Sequence, residues 1–182
     1  FLLNFDRIIS FVELTKMVEK LDNYILSEYI IPGKFSSSLN PKTINTLRVL
    51  TLIDPYDGKP FIGRAVHRIG VNKSFPMDNF TRGGLSSIIN IESGRLGKAT
   101  AHPVDTNFEY YEAHPDNGLV FYNKLIPNWD AVKKKILHLA SSLPILKAVG
   151  WDLILTDDDV FAIEGNHHAD PDVLQCHGPL LD

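Results

Sequence analysis

Three oxygen-bearing side chains near the end of the chain have the types and spacing of a metal site. Asp152, Glu164 and Asn166 lie within residues 150–166, which alternate between apolar and polar stretches around an acidic turn. Since side chains alternate between the two faces of a strand, Glu164 and Asn166 share one face. Carboxylate and amide oxygens in this number suit Mg²⁺, which takes one or two carboxylates and completes its shell with water and phosphate oxygens.

A hairpin brings the first of these residues to the other two. Centred on Asp158, it pairs Thr156 with Val160 and, counting outward, Asp152 with Glu164. Like charges directly opposite destabilise a sheet, so we expect a positive charge between these carboxylates. The alternative is a hairpin whose polar face is simply solvated. The other face carries apolar side chains expected to pack on a core: Trp151, Leu153, Leu155, Phe161 and Ile163.

Two arginines form a second constellation. Arg48 and Arg68 each lie inside an apolar segment that favours a strand. Because arginine is rarely buried without a partner, we expect the pair to share an anion, either an internal carboxylate or a phosphate gripped by the guanidinium fork. The alternative is an edge strand with arginines facing water.

Residues 78–84, Asp-Asn-Phe-Thr-Arg-Gly-Gly, form a polar loop that ends in two glycines. Backbone N–H groups of Gly83 and Gly84 could be presented to a phosphate. A glycine pair by itself is also compatible with an ordinary turn.

A different metal chemistry is suggested by residues 165–168, Gly-Asn-His-His. Gly165, Asn166, His167 and His168 resemble the Gly-Asn-His-Asp element of dinuclear metallophosphoesterases. That family also needs an Asp-x-His motif and a Gly-Asp pair upstream, and the sequence has neither.

Composition limits the protein class. The chain has 182 residues, 44% hydrophobic and 22% charged, as in a globular domain. Its formal net charge of -4 argues against a general nucleic-acid binder, and one cysteine excludes an intrachain disulfide framework. No apolar run approaches the ~20 residues that span a bilayer. The start lacks a signal peptide and an initiator Met, so we expect a fragment from a reducing intracellular compartment.

Short turns join most of the predicted elements, which favours an α+β fold with a largely antiparallel sheet and flanking helices. Strands are predicted at 24–31, 44–53, 61–69, 85–91 and 96–101 and in both arms of the hairpin. Helices are predicted at 11–21 and 130–142, and loops at 32–42 and 72–84.

Taken in order, these pieces resemble the C-terminal half of an ATP-grasp domain, and more narrowly the sugar-transfer-associated ATP-grasp family found with bacterial polysaccharide genes. The resemblance runs from about Tyr24 to Gln175 and depends on the order of short motifs. These are Ile25-Leu-Ser-Glu-Tyr-Ile30, Asn45-Thr-Leu-Arg48, His67-Arg-Ile-Gly70, Asp78-Asn79 with Gly83-Gly84, His114-Pro115 with Gly118, Ile126-Pro-Asn-Trp129, Gly150-Trp-Asp152 and Glu164-Gly-Asn166.

The resemblance implies a role for both constellations. Asp152, Glu164 and Asn166 fall where ATP-grasp enzymes such as D-alanine–D-alanine ligase bind Mg²⁺. Arg48 and Arg68 match arginines near the phosphates and the acyl substrate in members similar to the ribosomal-protein glutamate ligase.

The resemblance also implies contacts with the rest of the nucleotide. Asn79, Gly83 and Gly84 match a loop over the active site. Glu28 and Ile30 match the linker whose backbone reads adenine. ATP-grasp enzymes also use lysines of an N-terminal subdomain, so residues 1–182 would be the C-terminal part of one domain, with most of that subdomain absent.

The implied function is an ATP- and Mg²⁺-dependent ligase that joins a small carboxylate to an amine, a thiol or a sugar-linked acceptor through an acylphosphate. We expect it to serve polysaccharide or cell-envelope synthesis in the cytoplasm. A non-catalytic module that binds a nucleotide or polymer, and a phosphoesterase built on Gly165, Asn166, His167 and His168, are the alternatives. The acyl acceptor and the oligomeric state stay open.

Overall fold

A computed structural model of the chain describes residues 10–23, 27–103 and 109–180. Within them, seven antiparallel strands form one sheet in the order β5-β4-β3-β2-β1-β6-β7. The strands are β1 Leu47–Ile53, β2 Pro60–Ile69, β3 Leu85–Ile89, β4 Leu96–Ala101, β5 Tyr110–Tyr111, β6 Ala148–Leu155 and β7 Val160–Asn166. The helices are α1 Phe11–Val18, α2 Lys34–Leu39, α3 Trp129–Ser141 and α4 Asp172–Gln175, with a 3-10 turn at Phe80–Arg82. The predicted α+β fold is confirmed, and none of these helices could cross a bilayer.

Two local predictions are wrong. Residues 27–31 form no strand, and 24–26 lie outside the described residues. The predicted loop at 32–42 contains helix α2, whose residues Ser36 and Leu39 are buried. The start of α2 is stabilised from far along the chain, because the backbone N–H of Lys34 donates to Asp157 Oδ1 over 2.7 Å. No local sequence signal could reveal a helix start that depends on a side chain 123 residues away.

The two faces of the sheet are covered by different helices. Helix α3 packs over one face, where Leu47, Val49 and Leu153 belong to the main core. The other face buries a smaller apolar cluster that includes Leu50 and Val66 beneath helix α4. Arg48 lies two residues before Leu50 on β1, so its side chain lies on this second face. We call it the site face.

The β6–β7 hairpin has a register that differs at its turn from the predicted one. Leu155, and not Thr156, pairs with Val160, but Asp152 still pairs with Glu164. A bulge between Asp152 and Leu153 restores the predicted pairing, because β7 supplies one extra residue there. The expectation that the apolar side chains of β7 pack on the core is wrong for two residues. Phe161 is 40% exposed and Ile163 47% exposed, because the register pairs Phe161 with Ile154 and leaves Ile163 as the extra residue of the bulge.

Buried His67 creates a pH dependence of stability. Its side chain is fully buried, and Nδ1 lies 3.0 Å from the carbonyl oxygen of Arg68, so Nδ1 carries the proton and donates. Nε2 has no partner. Burial lowers the pKa of His67 from 6.5 to about 4, although the hydrogen bond to Arg68 partly opposes this.

We therefore expect the free energy of unfolding to fall as the pH drops from about 6.5 to about 4. The unfolded chain takes up a proton in that window while the folded chain does not, so the full stabilisation is present above pH 6.5. The loss attributable to His67 is about 2–3 kcal/mol. Urea unfolding at a series of pH values gives the free energy of unfolding at each pH. The slope of this free energy against pH should be shallower for His67→Phe than for the wild type. The exposed control His138→Gln should keep the wild-type slope, and a His67→Phe slope equal to it would contradict the assignment.

Candidate active site

The three oxygen ligands predicted for a metal lie together at the end of the β6–β7 hairpin. β6 pairs Asp152 with Glu164 and Gly150 with Asn166, and directly opposite residues of an antiparallel pair share a face. Asp152 is 4% exposed, whereas Glu164 is exposed and Asn166 is half-buried. Within the described residues, the side chains of Glu164 and Asn166 make no hydrogen bond or ion pair.

Arg48 is bound by Asp152 through two hydrogen bonds. The two residues lie opposite each other on β1 and β6. Nε of Arg48 donates to Asp152 Oδ1 over 2.5 Å, and Nη2 donates to Oδ2 over 3.1 Å. The side chains of Arg48 and Asp152 are only 9% and 5% exposed. This is the bidentate guanidinium–carboxylate geometry that strengthens both bonds.

Arg68 joins the same carboxylate to a second one. Its Nη2 lies 3.2 Å from Asp152 Oδ2 and 3.5 Å from Asp78 Oδ1. Nε and Nη2 of Arg68 also donate to the hydroxyl of Thr46 over 2.8 and 2.6 Å. Thr46 in turn donates its backbone N–H and its hydroxyl to Asp78 Oδ2 over 2.5 and 2.8 Å. We call Thr46, Arg48, Arg68, Asp78 and Asp152 the arginine cluster.

The charges of the arginine cluster cancel, since two guanidinium groups face two carboxylates. Of the two shared anions considered for Arg48 and Arg68, the internal carboxylate is therefore the one present in this structure. Asp152 accepts three hydrogen bonds, so about one of its roughly four lone-pair positions is left. Nη1 of Arg48 and Nη1 of Arg68 have no partner among the described residues and are not buried.

The glycine loop, residues 78–84, is anchored to the arginine cluster at its first residue. Asn79 accepts hydrogen bonds from the N–H and the hydroxyl of Thr81 at 3.2 and 3.0 Å, so its side chain caps the short 3-10 turn. Gly83 has a φ of 94°, which favours glycine. A Cβ on Gly84 would lie 2.5 Å from the carbonyl oxygen of Asp78. Both ends of the loop therefore meet at Asp78.

The two residues predicted to contact adenine are not joined to the arginine cluster. Glu28 is exposed and Ile30 half-buried, in an irregular segment. Among the described residues, no hydrogen bond or ion pair links either side chain to the cluster. The segment then joins the sheet at Gly33, whose N–H donates to the carbonyl of Leu155 over 2.8 Å.

The chain beyond β7 folds back across the site face. A Cβ on Gly150 would meet the side chain of Ala169 at 2.5 Å, so Gly150 permits this crossing next to Arg48. Further on, Arg64 donates to the carbonyl oxygens of Leu174, Gly178 and Pro179 over 3.3, 2.9 and 2.7 Å. The crossing segment covers one side of the arginine cluster.

Ser86 and His177 also hold this crossing segment. Ser86 donates to the carbonyl of Val173 over 2.9 Å and lies 3.0 Å from Nε2 of His177. Because the Ser86 hydroxyl has a single proton, Nε2 of a neutral His177 would carry the proton and donate to it. Burial lowers the pKa of His177 from 6.5 to about 4, so His177 is neutral at pH 7.

The histidines after β7 do not gather further metal ligands. The rings of His167 and His168 lie 4.1 Å apart, and both residues are exposed. Within residues 10–23, 27–103 and 109–180, no three His, Cys, Asp or Glu side chains are grouped to hold a metal ion. The phosphoesterase alternative needs such a group near His167, so this structure gives it no support.

The described pockets lie away from the arginine cluster. One of about 220 Å³ opens between residues 33–35 at the start of α2, the start of α3 and the β6–β7 turn, and a shallower one lies beside Arg64 and His177. Neither is lined by Arg48, Arg68 or Asp152. The geometry of the side chains, and not the depth of a cavity, therefore marks the site.

One known protein family matches most of this chain. The family model described as sugar-transfer associated ATP-grasp matches residues 5–178. The chain belongs to this family. No curated protein and no solved structure gave a significant match. Membership in the sugar-transfer associated ATP-grasp family makes the chain an ATP-binding, ligase-like domain. That it is the C-terminal part of one such domain stays a prediction.

ATP-grasp enzymes use Mg²⁺, and the donor set of the site face can be compared with that ion. The carboxylate of Glu164 and the amide of Asn166 are hard oxygen donors without partners in the described part of the chain. They fit Mg²⁺. Asp152 fits less well as it stands, because Arg48 and Arg68 occupy three of its lone-pair positions.

Several residues of the ATP-grasp site face were not singled out from the sequence. Thr46 and Asp78 lie inside the quoted motifs Asn45-Thr-Leu-Arg48 and Asp78-Asn79, so their positions were visible but their contacts were not. Arg64 lies four residues before Arg68 on β2, which places both on one face by alternation. For His177 the sequence carries no signal, because its partner Ser86 lies 91 residues away.

Proposed function

We propose that this chain forms the metal and phosphate side of an ATP- and Mg²⁺-dependent carboxylate ligase. The observation that carries the proposal is the composition of the site face. Arg48 and Arg68 contact Asp152, and next to Asp152 lie Glu164 and Asn166, whose side chains have no partner within the described residues. Cationic forks next to hard oxygen donors suit a polyphosphate with its metal ion.

The two arginines would bind the negative charge of the phosphates. The free Nη1 groups of Arg48 and Arg68 are available to phosphate oxygens, while their other nitrogens stay on Asp152 and Thr46. Glu164 and Asn166, with the remaining lone pair of Asp152, would hold Mg²⁺. Mg²⁺ held there would offset the negative charge that develops in phosphoryl transfer.

The proposed reaction has two steps. A carboxylate oxygen of the substrate attacks the γ-phosphorus of ATP, the bond to the β,γ-bridging oxygen breaks, and ADP leaves. An amine or thiol then attacks the carbonyl carbon of the acylphosphate and phosphate leaves. Arg48 and Arg68 would stabilise the charge on the transferred group, which explains a site without a nucleophile.

The remaining predicted contacts belong to the same proposal. The glycine loop, through Asn79, Gly83 and Gly84, would cover the phosphates, and the segment of Glu28 and Ile30 would face adenine. We propose that the acceptor is an amine, a thiol or a sugar-linked group used in polysaccharide or cell-envelope synthesis, and the association of the family with sugar transfer supports this proposal. Its dependence on ATP would place the reaction in the cytoplasm.

The test uses metal removal. We expect the chain to bind an ATP analogue in calorimetry with Mg²⁺ present, and chelation of Mg²⁺ to weaken this binding at least about tenfold, since the ion would neutralise phosphate charge held on the site face. With ATP and a panel of small carboxylates, hydroxylamine should trap an acylphosphate as a hydroxamate while ADP accumulates.

The outcomes separate the alternatives. Magnesium-dependent binding without ADP formation on any carboxylate would favour the non-catalytic nucleotide-binding module. Binding that is indifferent to Mg²⁺ would contradict the metal assignment, and no nucleotide binding at all would contradict the proposed function of this chain.

A further inference from the structure

We infer that Thr46 and Asp78 are positioning residues that set the orientation of Arg68 and connect it to the glycine loop. The inference rests on the proposed function, because it assigns them an effect on nucleotide binding. Neither residue was assigned a role from the sequence or by family membership. Both are buried, with 3% of Thr46 and 8% of Asp78 exposed, so they act through Arg68 and not by direct contact with a ligand.

Arg68 depends on Thr46 more than on either carboxylate. The bonds from Nε and Nη2 to the Thr46 hydroxyl are 2.8 and 2.6 Å, whereas the distances to Asp152 and Asp78 are 3.2 and 3.5 Å. Among the described residues, Arg48 has no such contact and is bound only by Asp152. Removing the hydroxyl would therefore loosen Arg68 selectively.

The direction of this hydrogen-bond chain is determined by its chemistry. A hydroxyl has one proton and two lone pairs. Arg68 can only donate, so the lone pairs of Thr46 accept from Nε and Nη2, and the single proton goes to Asp78 Oδ2 at 2.8 Å. The donor and acceptor capacity of the Thr46 side chain is fully used, and no free group is left to compensate for a change.

Asp78 extends this chain into the glycine loop. The N–H of Gly84 donates to the carbonyl oxygen of Asn79 over 3.0 Å, and Gly84 packs so closely on the carbonyl of Asp78 that no Cβ fits. A shift of the loop therefore moves the carboxylate that orients Thr46 and Arg68. Nη1 of Arg68 has no partner among the described residues, so the position of the loop would affect where this group can meet a ligand.

The experiment is a double-mutant cycle on nucleotide affinity in the presence of Mg²⁺. We expect Thr46→Val to weaken binding about tenfold and Thr46→Ser, which keeps the hydroxyl, to stay within about twofold of the wild type. Adding Thr46→Val to Arg68→Lys should change the affinity of the single Arg68→Lys variant by less than about twofold, since both substitutions act on one contact.

A matched control lies on β1, which begins one residue after Thr46. Thr51 is also 3% exposed, and its hydroxyl accepts from Nε1 of Trp151 over 2.8 Å, away from Arg68. Thr51→Val should lower the urea midpoint without changing nucleotide affinity. If Thr46→Val behaves like Thr51→Val, or if its effect adds in full to that of Arg68→Lys, the positioning role is wrong.

A readout without nucleotide separates this inference from the proposed function. The Nε–Hε resonance of Arg68 can be assigned by its loss in Arg68→Lys. Its exchange with water should be slow in the wild type and in Thr46→Ser, and at least about tenfold faster in Thr46→Val. Equal exchange rates would overturn the inference even if ATP binds, and faster exchange in Thr46→Val would support it even if the wild type binds no ATP.

Discussion

We expect Asp152→Asn to lower the free energy of unfolding by about 3–5 kcal/mol, the cost of removing one partner from a buried ion pair. Asp152 is 4% exposed and accepts from both Arg48 and Arg68. Asparagine keeps the shape but carries no charge, and its NH₂ group would face a guanidinium that can only donate. Arg68 would then keep only the carboxylate of Asp78, at 3.5 Å, and Arg48 would have no carboxylate partner among the described residues. Urea unfolding measures this effect, provided that the free energy of unfolding falls with urea concentration at the same slope in the variant and the wild type.

The control for this variant is Asp158→Asn. Asp158 is exposed in the β6–β7 turn, and among the described residues its side chain has no partner. Its replacement should change stability by less than about 0.5 kcal/mol. If Asp152→Asn is as stable as Asp158→Asn, the arginine cluster is not the stabilising network that the distances indicate.

Glu164→Gln should weaken nucleotide binding and leave the stability of the fold nearly unchanged. We expect the affinity for an ATP analogue with Mg²⁺ to fall at least about tenfold, because an amide is a weaker ligand for Mg²⁺ than a carboxylate. Glu164 lies opposite Asp152 on the sheet, so removing its charge relieves repulsion. Stability should stay within about 0.5 kcal/mol of the wild type or rise slightly.

The matched control is Glu92→Gln. Glu92 is also an exposed glutamate, located in the turn between β3 and β4, far from β7 in the sheet order. Calorimetry on both variants should show weaker Mg²⁺-dependent binding for Glu164→Gln alone. Equal affinities of the two variants would contradict the metal assignment and leave Glu164 as a solvated surface residue.

Together the two variants separate two uses of negative charge on one face of the sheet. Asp152 compensates the arginines, and Glu164 is free of partners in the described part of the chain. Without a nucleotide, Arg48 and Arg68 already occupy three of the lone-pair positions of Asp152. The affinity for Mg²⁺ without a nucleotide should therefore depend mainly on Glu164 and Asn166.

Much of the architecture was predictable because its signals are local. The α+β class, strands β3 and β4 and helix α3 follow from periodicity and turn residues, and these predictions are confirmed. Helix α2 was missed, because its start is capped by Asp157 from the far hairpin. The register at the β6–β7 turn was also wrong, since a bulge cannot be read from alternation alone.

The residue types that face one another across the candidate site were evident from the chain itself, because alternation along a strand assigns each side chain to a face. Family membership was likewise carried by short motifs in their order. Which anion Arg48 and Arg68 share was left open until β1, β2 and β6 lay side by side. Their register brings Asp152 within 3.2 Å of both arginines and connects Thr46 and Asp78 to Arg68. Such contacts join residues up to 104 positions apart, so only the folded sheet decides them.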